Sequence, residues 1–365
     1  MRIAFIVPYL YRFQRGIESS ACRLASALSD LGHDVTVMAW AQPEPRAKPV
    51  LAPKVKVLTV PYFRYFRSRI AAPFYTRFLK RGRFDLVNIY FADCGEAGPL
   101  RKTKTGAGYR LQFIAGYPVE LVPHRFDAFD RLKLTPLIDR IVAKSPAMEP
   151  GLRQRLGRPT VMIPNGVDTE RFDPALFPRE RCRSELDLPS DASVILSVAA
   201  LEERKGIQYV LEALPGLIGS RPQLHYLIAG EGPYRSVLES RVTDLGLEAH
   251  VRFMGRVEDV RPLLGAADCL ALLSHGEGLP NVLLEAWSMG CPVLVSGHPP
   301  YPDLMADFLG EMVDENESGQ AVASLERLFG LRTETTDEIR RQHVAEHYSW
   351  RRAAVEISDA GVPES

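Results

Sequence analysis

The chain has 365 residues, 46% apolar and 25% charged, with Lys+Arg 45 balancing Asp+Glu 45. It is too long for one ordinary core, too apolar for extended disorder, and has no whole-chain field that would suit nucleic acid. No apolar run approaches the ~20 residues of a membrane span, and the five scattered cysteines (Cys22, Cys94, Cys182, Cys269, Cys291) form no Cys-x-x-Cys pair, which points away from a disulfide framework or zinc site and toward a reducing cytosol.

Short apolar runs alternate with amphipathic stretches along the chain, the pattern of parallel α/β sheets. Residues 2–7 read as a first strand rather than a signal peptide. After a polar loop, Ile17, Ala21, Leu24, Ala25, Leu28 and Leu31 fall on one helical face, and Gly32 closes that helix. Strands are expected at 35–39, 55–60, 86–90, 110–115, 141–143 and 160–163. Then the pattern restarts: strand 193–198, helix 206–218 and strand 224–229. Gly16 to Ala39 and Gly206 to Ala229 span equal lengths, each glycine after a basic residue, Arg15 and Lys205. That equality fits two copies of one nucleotide-binding unit, or simply the usual length of a βαβ unit. Further strands are expected at 251–254, 269–273 and 292–295, with helices at 260–266, 281–289 and 336–347. The expected organisation is a first Rossmann-like domain over 1–172, a linker over 173–190 rich in Pro and charge, a second Rossmann-like domain over 191–345, and a tail over 346–365. A terminal helix packing back on the first domain would suit this build.

The segment SHGEGLPNVLLEAWSMGCP, residues 274–292, carries the most chemistry. A strand ends near Leu273, a loop holds Glu277 and Gly278, and Pro280 opens a helix with Glu285 in its second turn. Ligands of open α/β sheets bind beyond the carboxyl ends of the strands, and the N–H groups of Asn281, Val282 and Leu283 at the helix start suit a pyrophosphate. Two carboxylates would repel that phosphate if they touched it; they suit sugar and ribose hydroxyls instead. The pair therefore favours a nucleotide-linked sugar over a bare nucleotide.

EGLPNVLLEAWSMGCP resembles the hallmark of the retaining glycosyltransferases of family 4: two glutamates separated by seven residues in a loop–helix–Gly–Pro context. LEERKG, residues 201–206, is similar to the segment in which that family sets a Lys on the donor phosphates. GEGPYRSVLE from Gly230, VRFMGRV containing Gly255 and Val257, and IPNGVDTERF at 163–172 agree with it, as does the loop and helix from Gly16. The resemblance implies a GT-B fold, α/β with two Rossmann-like domains facing a cleft, anomeric retention, and no required metal or other cofactor. The absence of an Asp-x-Asp tripeptide agrees. Implied catalytic residues are Lys205, Glu277 and Arg204. Implied donor contacts are Glu285, Gly16, Gly278, Leu279, Pro280, Asn281, Val282, Leu283, Gly230, Gly255 and Val257.

The chain also departs from the family pattern. Ala199 and Ala200 stand where an Arg is usual, leaving Arg204 as its substitute. Arg15-Gly16 replaces a pair of glycines, AGYP at 115–118 lacks a common His, and SGHPPYPDL at 296–304 replaces a Gly-Gly-acid loop. Hence three readings stay open: transfer from a nucleoside diphosphate sugar to a glycan, lipid-linked or small-molecule acceptor hydroxyl; a GT-B epimerase or hydrolase; and a non-catalytic sugar-nucleotide-binding subunit.

One stretch stands apart. PYFRYFRSRIAAPFYTRFLKRGRF, residues 61–84, interleaves Lys/Arg with Phe/Tyr and contains no acid. Such a stretch suits an anionic membrane surface, so a cytoplasmic protein with peripheral contact at the inner face of the membrane is one expectation. A core-packed helix with a solvated basic face is the other.

Overall fold

A computed structural model describes the chain apart from residues 12–15, 42–48, 61–66, 91–98, 101–102, 105–108, 117, 120–122, 132, 315–316 and 360–365. It divides into two compact units, Met1–Gly166 with Trp350–Ser365, and Val167–Ser349. Arg15, Cys94, Tyr117 and Arg64 lie outside the described residues.

The first unit contains β1 Arg2–Ile6, α1 Gly16–Asp30, β2 Asp34–Trp40, β3 Lys56–Val60, α2 Arg67–Gly82, β4 Leu86–Ile89, β5 Arg110–Ile114, α3 Pro123–Arg131, β6 Arg140–Ala143, α4 Glu149–Leu156 and β7 Thr160–Met162. Its strands are parallel and ordered β3-β2-β1-β4-β5-β6-β7. Alternate residues feed opposite faces, as a period of two requires. Ala4, Ile6, Val87, Ile89, Leu111 and Phe113 join one core, while Ile3, Phe5, Val7, Leu86 and Ile114 join another with Ala21, Leu24, Ala25 and Leu28 of α1.

The second unit contains α5 Arg179–Glu185, β8 Ser193–Val198, α6 Ile207–Ile218, β9 Leu224–Ala229, α7 Arg235–Asp244, β10 Val251–Gly255, α8 Arg261–Ala266, β11 Cys269–Leu272, α9 Asn281–Ser288, β12 Val293–Ser296, β13 Gly310–Val313, α10 Ser318–Leu328 and α11 Glu334–His347. The sheet is again parallel, ordered β10-β9-β8-β11-β12-β13. Order reverses beside β8 in this sheet and beside β1 in the other, the doubly wound arrangement of Rossmann-like folds.

Two boundaries differ from those expected. Residues 173–190 are no linker: Asp173 caps a short 3-10 turn, Pro174–Leu176, and α5 follows. Buried Arg183 donates to Asp268 Oδ2 at 2.9 Å and to the Ala266 carbonyl at 3.1 Å, and Asp268 also accepts from the Val194 amide at 2.7 Å. This charged segment is thus tied into the second unit by a buried pair, which composition alone hides. The second difference concerns the chain's end. α11 stays on the second unit, whereas α12, Trp350–Asp359, returns to the first and packs Trp350, Ala353, Ala354 and Ile357 into the α1 core. The tail expected from residue 346 is therefore a packed helix as far as Asp359. The described cysteines, Cys22, Cys182, Cys269 and Cys291, are free and buried.

Candidate donor site of the second unit

β8 ends at Val198, and the chain runs through Ala199–Glu202 into a 3-10 turn, Glu203–Lys205. Gly206 then adopts φ +69°, and a Cβ there would lie 1.9 Å from the Leu273 carbonyl oxygen. Only glycine lets this turn lie against the end of β11. The contact continues through the His275 amide, which donates to the Arg204 carbonyl at 2.9 Å. The two segments that the sequence separates by some seventy positions are thereby brought together.

Their side chains meet as a result. Lys205 Nζ donates to Glu277 Oε1, and Arg204 lies 3.5 Å from the same oxygen while its Nε donates to Glu202 at 3.0 Å. Glu277 is 7% exposed. Its amide donates to the Pro299 carbonyl at 3.1 Å, so the 296–304 loop holds Glu277 through its backbone. Burial raises the pKa of the fully buried Tyr301 phenol, and the Glu277 carboxylate beside it adds to that rise.

α9 starts one short loop later. Gly278 and Leu279 are buried, and Pro280 is its N-cap without any side-chain cap. The first amides of the helix therefore face the site uncapped by a side chain, with one correction to the expected trio: the Leu283 N–H donates to the Pro280 carbonyl at 3.2 Å. Asn281 and Val282 form the first turn of the helix. Glu285 is half-buried one helical turn after Asn281, on the same face.

Other expected contacts take different places. Gly230, at φ +147°, is where β9 meets the residues after β8, and a Cβ there would lie 1.8 Å from the Ala199 carbonyl oxygen. The Glu231 carbonyl accepts from Leu201 at 3.0 Å and the Leu201 carbonyl from Tyr234 at 3.0 Å. Gly230 thus supports the segment leading to Lys205. Gly255, at the irregular end of β10, accepts from the Gly230 amide at 2.7 Å, and Val257 packs on the unit's core. Gly16 opens α1 in the first unit.

Sequence reasoning missed an aromatic row beside the ion pair. Tyr209 stacks on His275 with centroids 5.5 Å apart, and His275 lies 5.1 Å from His298. Tyr209 sits one turn after Gly206, and His298 belongs to the loop that departs from the family pattern. That departure was the only available signal.

Both units have relatives among known proteins. Residues 178–343 match the family described as "Glycosyl transferases group 1" and residues 14–171 that described as "Glycosyltransferase Family 4". The chain belongs to the group 1, family 4 glycosyltransferases, and it is a glycosyltransferase enzyme. It is 27% identical to a phosphatidyl-myo-inositol mannosyltransferase of Mycolicibacterium smegmatis, over 98% of this chain and 92% of that one. A GDP-mannose-dependent monoacylated alpha-(1-6)-phosphatidylinositol monomannoside mannosyltransferase of Corynebacterium glutamicum is 31% identical over 52% of each chain. Among solved structures, sucrose-phosphate synthase from Thermosynechococcus elongatus superposes with TM-score 0.79 at 18% identity, covering 99% and 98% of the two chains. Anabaena Alr3699/HepE in complex with UDP-glucose superposes with TM-score 0.76 at 18% identity, covering 99% of each. The fold is that of the GT-B glycosyltransferases.

Proposed function

We propose that the chain transfers a sugar from a nucleoside diphosphate sugar to an acceptor hydroxyl with retention at the anomeric carbon and without a metal ion. The observation that carries this reading is the convergence of Lys205 and Arg204 on Glu277, beside the amino end of the helix bearing Glu285. The Lys205–Glu277 pair matches the buried Glu277 carboxylate with a partly buried cation. A donor diphosphate offers Lys205 a second anion, which frees Glu277 to accept hydrogen bonds from sugar hydroxyls; Glu285 does the same for the ribose.

In the step itself, the bond from the anomeric carbon to the phosphate oxygen breaks and its electron pair leaves with the diphosphate. Lys205, Arg204 and the first α9 amides stabilise that growing charge. The acceptor oxygen bonds to the same face of the anomeric carbon, and its proton passes to the departing phosphate oxygen. No protein nucleophile is needed.

The mannosyltransferase relatives, one GDP-mannose-dependent by name, and a structural neighbour bound to UDP-glucose support a nucleotide-sugar donor and a glycan or lipid-linked acceptor. No described helix is long and apolar enough to cross a membrane. The exposed Arg77, Lys80, Arg81 and Arg83 with half-exposed Phe74 support a peripheral contact on the cytoplasmic face through residues 61–84. The test is turnover of GDP-mannose and UDP-glucose with glycan, lipid-linked and small acceptors, with the product anomer read by NMR and excess EDTA as a second arm. Retained configuration and EDTA-resistant activity are expected. An inverted product would overturn retention, and activity lost to EDTA but restored by Mg²⁺ or Mn²⁺ would overturn metal independence.

A further inference from the structure

Arg204 lies between two carboxylates of the second unit. One is Glu277, whose Oε1 is 3.5 Å from Nη1; the other is Glu202, whose Oε2 accepts from Nε at 3.0 Å. Glu277 already has Lys205 as a partner, whereas among the described residues Arg204 is the one cation that pairs with Glu202. Two cations and two acids so arranged balance in charge, and the guanidinium can turn toward either acid.

The backbone decides where Glu202 stands. Fully buried Leu201 donates to the Glu231 carbonyl and accepts from the Tyr234 amide, both at 3.0 Å. The Glu202 amide then turns back onto the Ala200 carbonyl at 2.8 Å, and the Glu202 carbonyl accepts from the Lys205 amide at 3.0 Å. Glu202 is therefore the extended residue that opens the Glu203–Lys205 turn, fixed by main-chain bonds on both sides. Arg204 is fixed at its carbonyl by the His275 amide, at 2.9 Å. What remains to be set is the direction of its long side chain, and a bond between two ionised groups sets it more strongly than a neutral one would. Without Glu202, the guanidinium closes the gap to Glu277, and a carboxylate matched by two cations accepts less from a sugar. The side chains of Arg204 and Glu202 are 35% and 39% exposed, so the pair adds little to folding stability. Its effect belongs to binding.

We propose that Glu202 is a positioning residue of the donor site, its carboxylate holding the Arg204 guanidinium back from full pairing with Glu277. Arg204 then stays available to the donor phosphates and Glu277 to the sugar. This rests on the donor-site reading given above.

The full chain is titrated with GDP and UDP in calorimetry, as the parent, Glu202→Ala, Glu202→Gln, Arg204→Met and the double variant of Glu202→Ala with Arg204→Met. Loss of a nearby negative charge by itself would tighten an anion, so weakening is the mark of positioning. Glu202→Ala is expected to weaken the nucleoside diphosphate about fivefold, the scale of one hydrogen bond, with the thermal midpoint unmoved. Glu202→Gln keeps an acceptor for Nε without the charge and restores most of that loss. The alanine effect vanishes in the Arg204→Met background, because a residue that acts through another is not additive with it. GDP-mannose or UDP-glucose loses more than the bare diphosphate in Glu202→Ala, since Glu277 is drawn off the sugar. Tighter binding in both Glu202 variants would assign Glu202 to the site's overall field and overturn the positioning role, as would an alanine effect that persists without Arg204. Lys205→Met separates the two readings. Diphosphate binding unchanged there overturns the donor site and this proposal with it; binding weakened there but unchanged in Glu202→Ala overturns the proposal alone.

Discussion

Glu277 and Glu285 share a helix end but differ in their surroundings. Glu277 is buried, matched by Lys205 and Arg204, and fixed through its backbone to Pro299. Glu285 is half-buried on the first turns of α9. If it accepts ribose hydroxyls, Glu285→Ala weakens nucleoside diphosphate binding by roughly 1–3 kcal/mol, the scale of hydrogen bonds to a charged acceptor. Unchanged affinity in calorimetry would remove it from the site. Lys144 gives a residue-scale expectation of a different kind. Burial depresses its folded pKa to about 7, below the ~10.4 of an unfolded lysine, so between these values the unfolded chain binds the extra proton. Stability therefore rises with pH through that window, with a slope approaching 1.4 kcal/mol per pH unit from this group. Below about pH 7 the amine is charged in both states and its slope vanishes. Urea midpoints of the parent and Lys144→Met across the window measure the difference, and parallel profiles would refute it. Lys205, Glu277 and Glu285 were legible because glutamate spacing and a Gly–Pro context are local in sequence. The burial of Lys144 was not, because it depends on what packs around it in space.

At the scale of elements, the site depends on two backbone approaches and one helix held from behind. Gly206→Ala combines a positive φ with a Cβ 1.9 Å from the Leu273 carbonyl. The Glu203–Lys205 turn must then shift, costing at least about 1–3 kcal/mol and weakening donor affinity in the same protein. A urea midpoint and a nucleotide titration check both, and a stable variant with full affinity would show that the turn has room to move. The carboxyl end of α9 is held by arginines, which suits a helix C-terminus. Arg332 donates to the Met289 carbonyl at 2.9 Å and the Leu264 carbonyl at 3.0 Å. Fully buried Arg340 donates to the Gly290 carbonyl and to Asp337 Oδ1, both at 3.1 Å. Arg340→Met strands the partly buried Asp337 with Arg332 alone and is expected to cost about 3–5 kcal/mol; a denaturation midpoint within a few tenths of the parent would contradict this. The apolar periodicity of α1 and α6 and the strand runs were readable. α5 was not: Arg179–Glu185 looks like linker because its burial rests on the Arg183–Asp268 pair, formed across 85 positions of sequence.

At the scale of the whole molecule, two parallel sheets follow from the alternation of apolar runs, and the chain's return to the first unit through α12 follows from none of it. The described part of the basic, aromatic stretch before β4 packs into the core and leaves basic residues exposed. Tyr75, Leu79 and Phe84 are buried in the first unit's core, whereas Arg77, Lys80, Arg81 and Arg83 are exposed and Phe74 is 47% exposed. α2 therefore spends part of its aromatic content on packing and presents a basic face with Phe74 near it. Each exposed cation can add about 1 kcal/mol of attraction to an anionic leaflet. The attraction fades once salt brings the Debye length well below 10 Å. The full chain should co-sediment with anionic vesicles at low ionic strength, much less with neutral ones, and little with either at about 0.5 M salt, where the Debye length is only a few ångströms. Charge reversal at Arg77, Lys80 and Arg81 should abolish the anionic preference, and because these residues are solvated it should leave the thermal midpoint near that of the parent. Phe74→Ser tests the apolar part, lowering retention on anionic vesicles while keeping its salt dependence. Equal, negligible sedimentation with both vesicle types would assign the basic face to solvent and favour an acceptor free in solution over one presented at a bilayer.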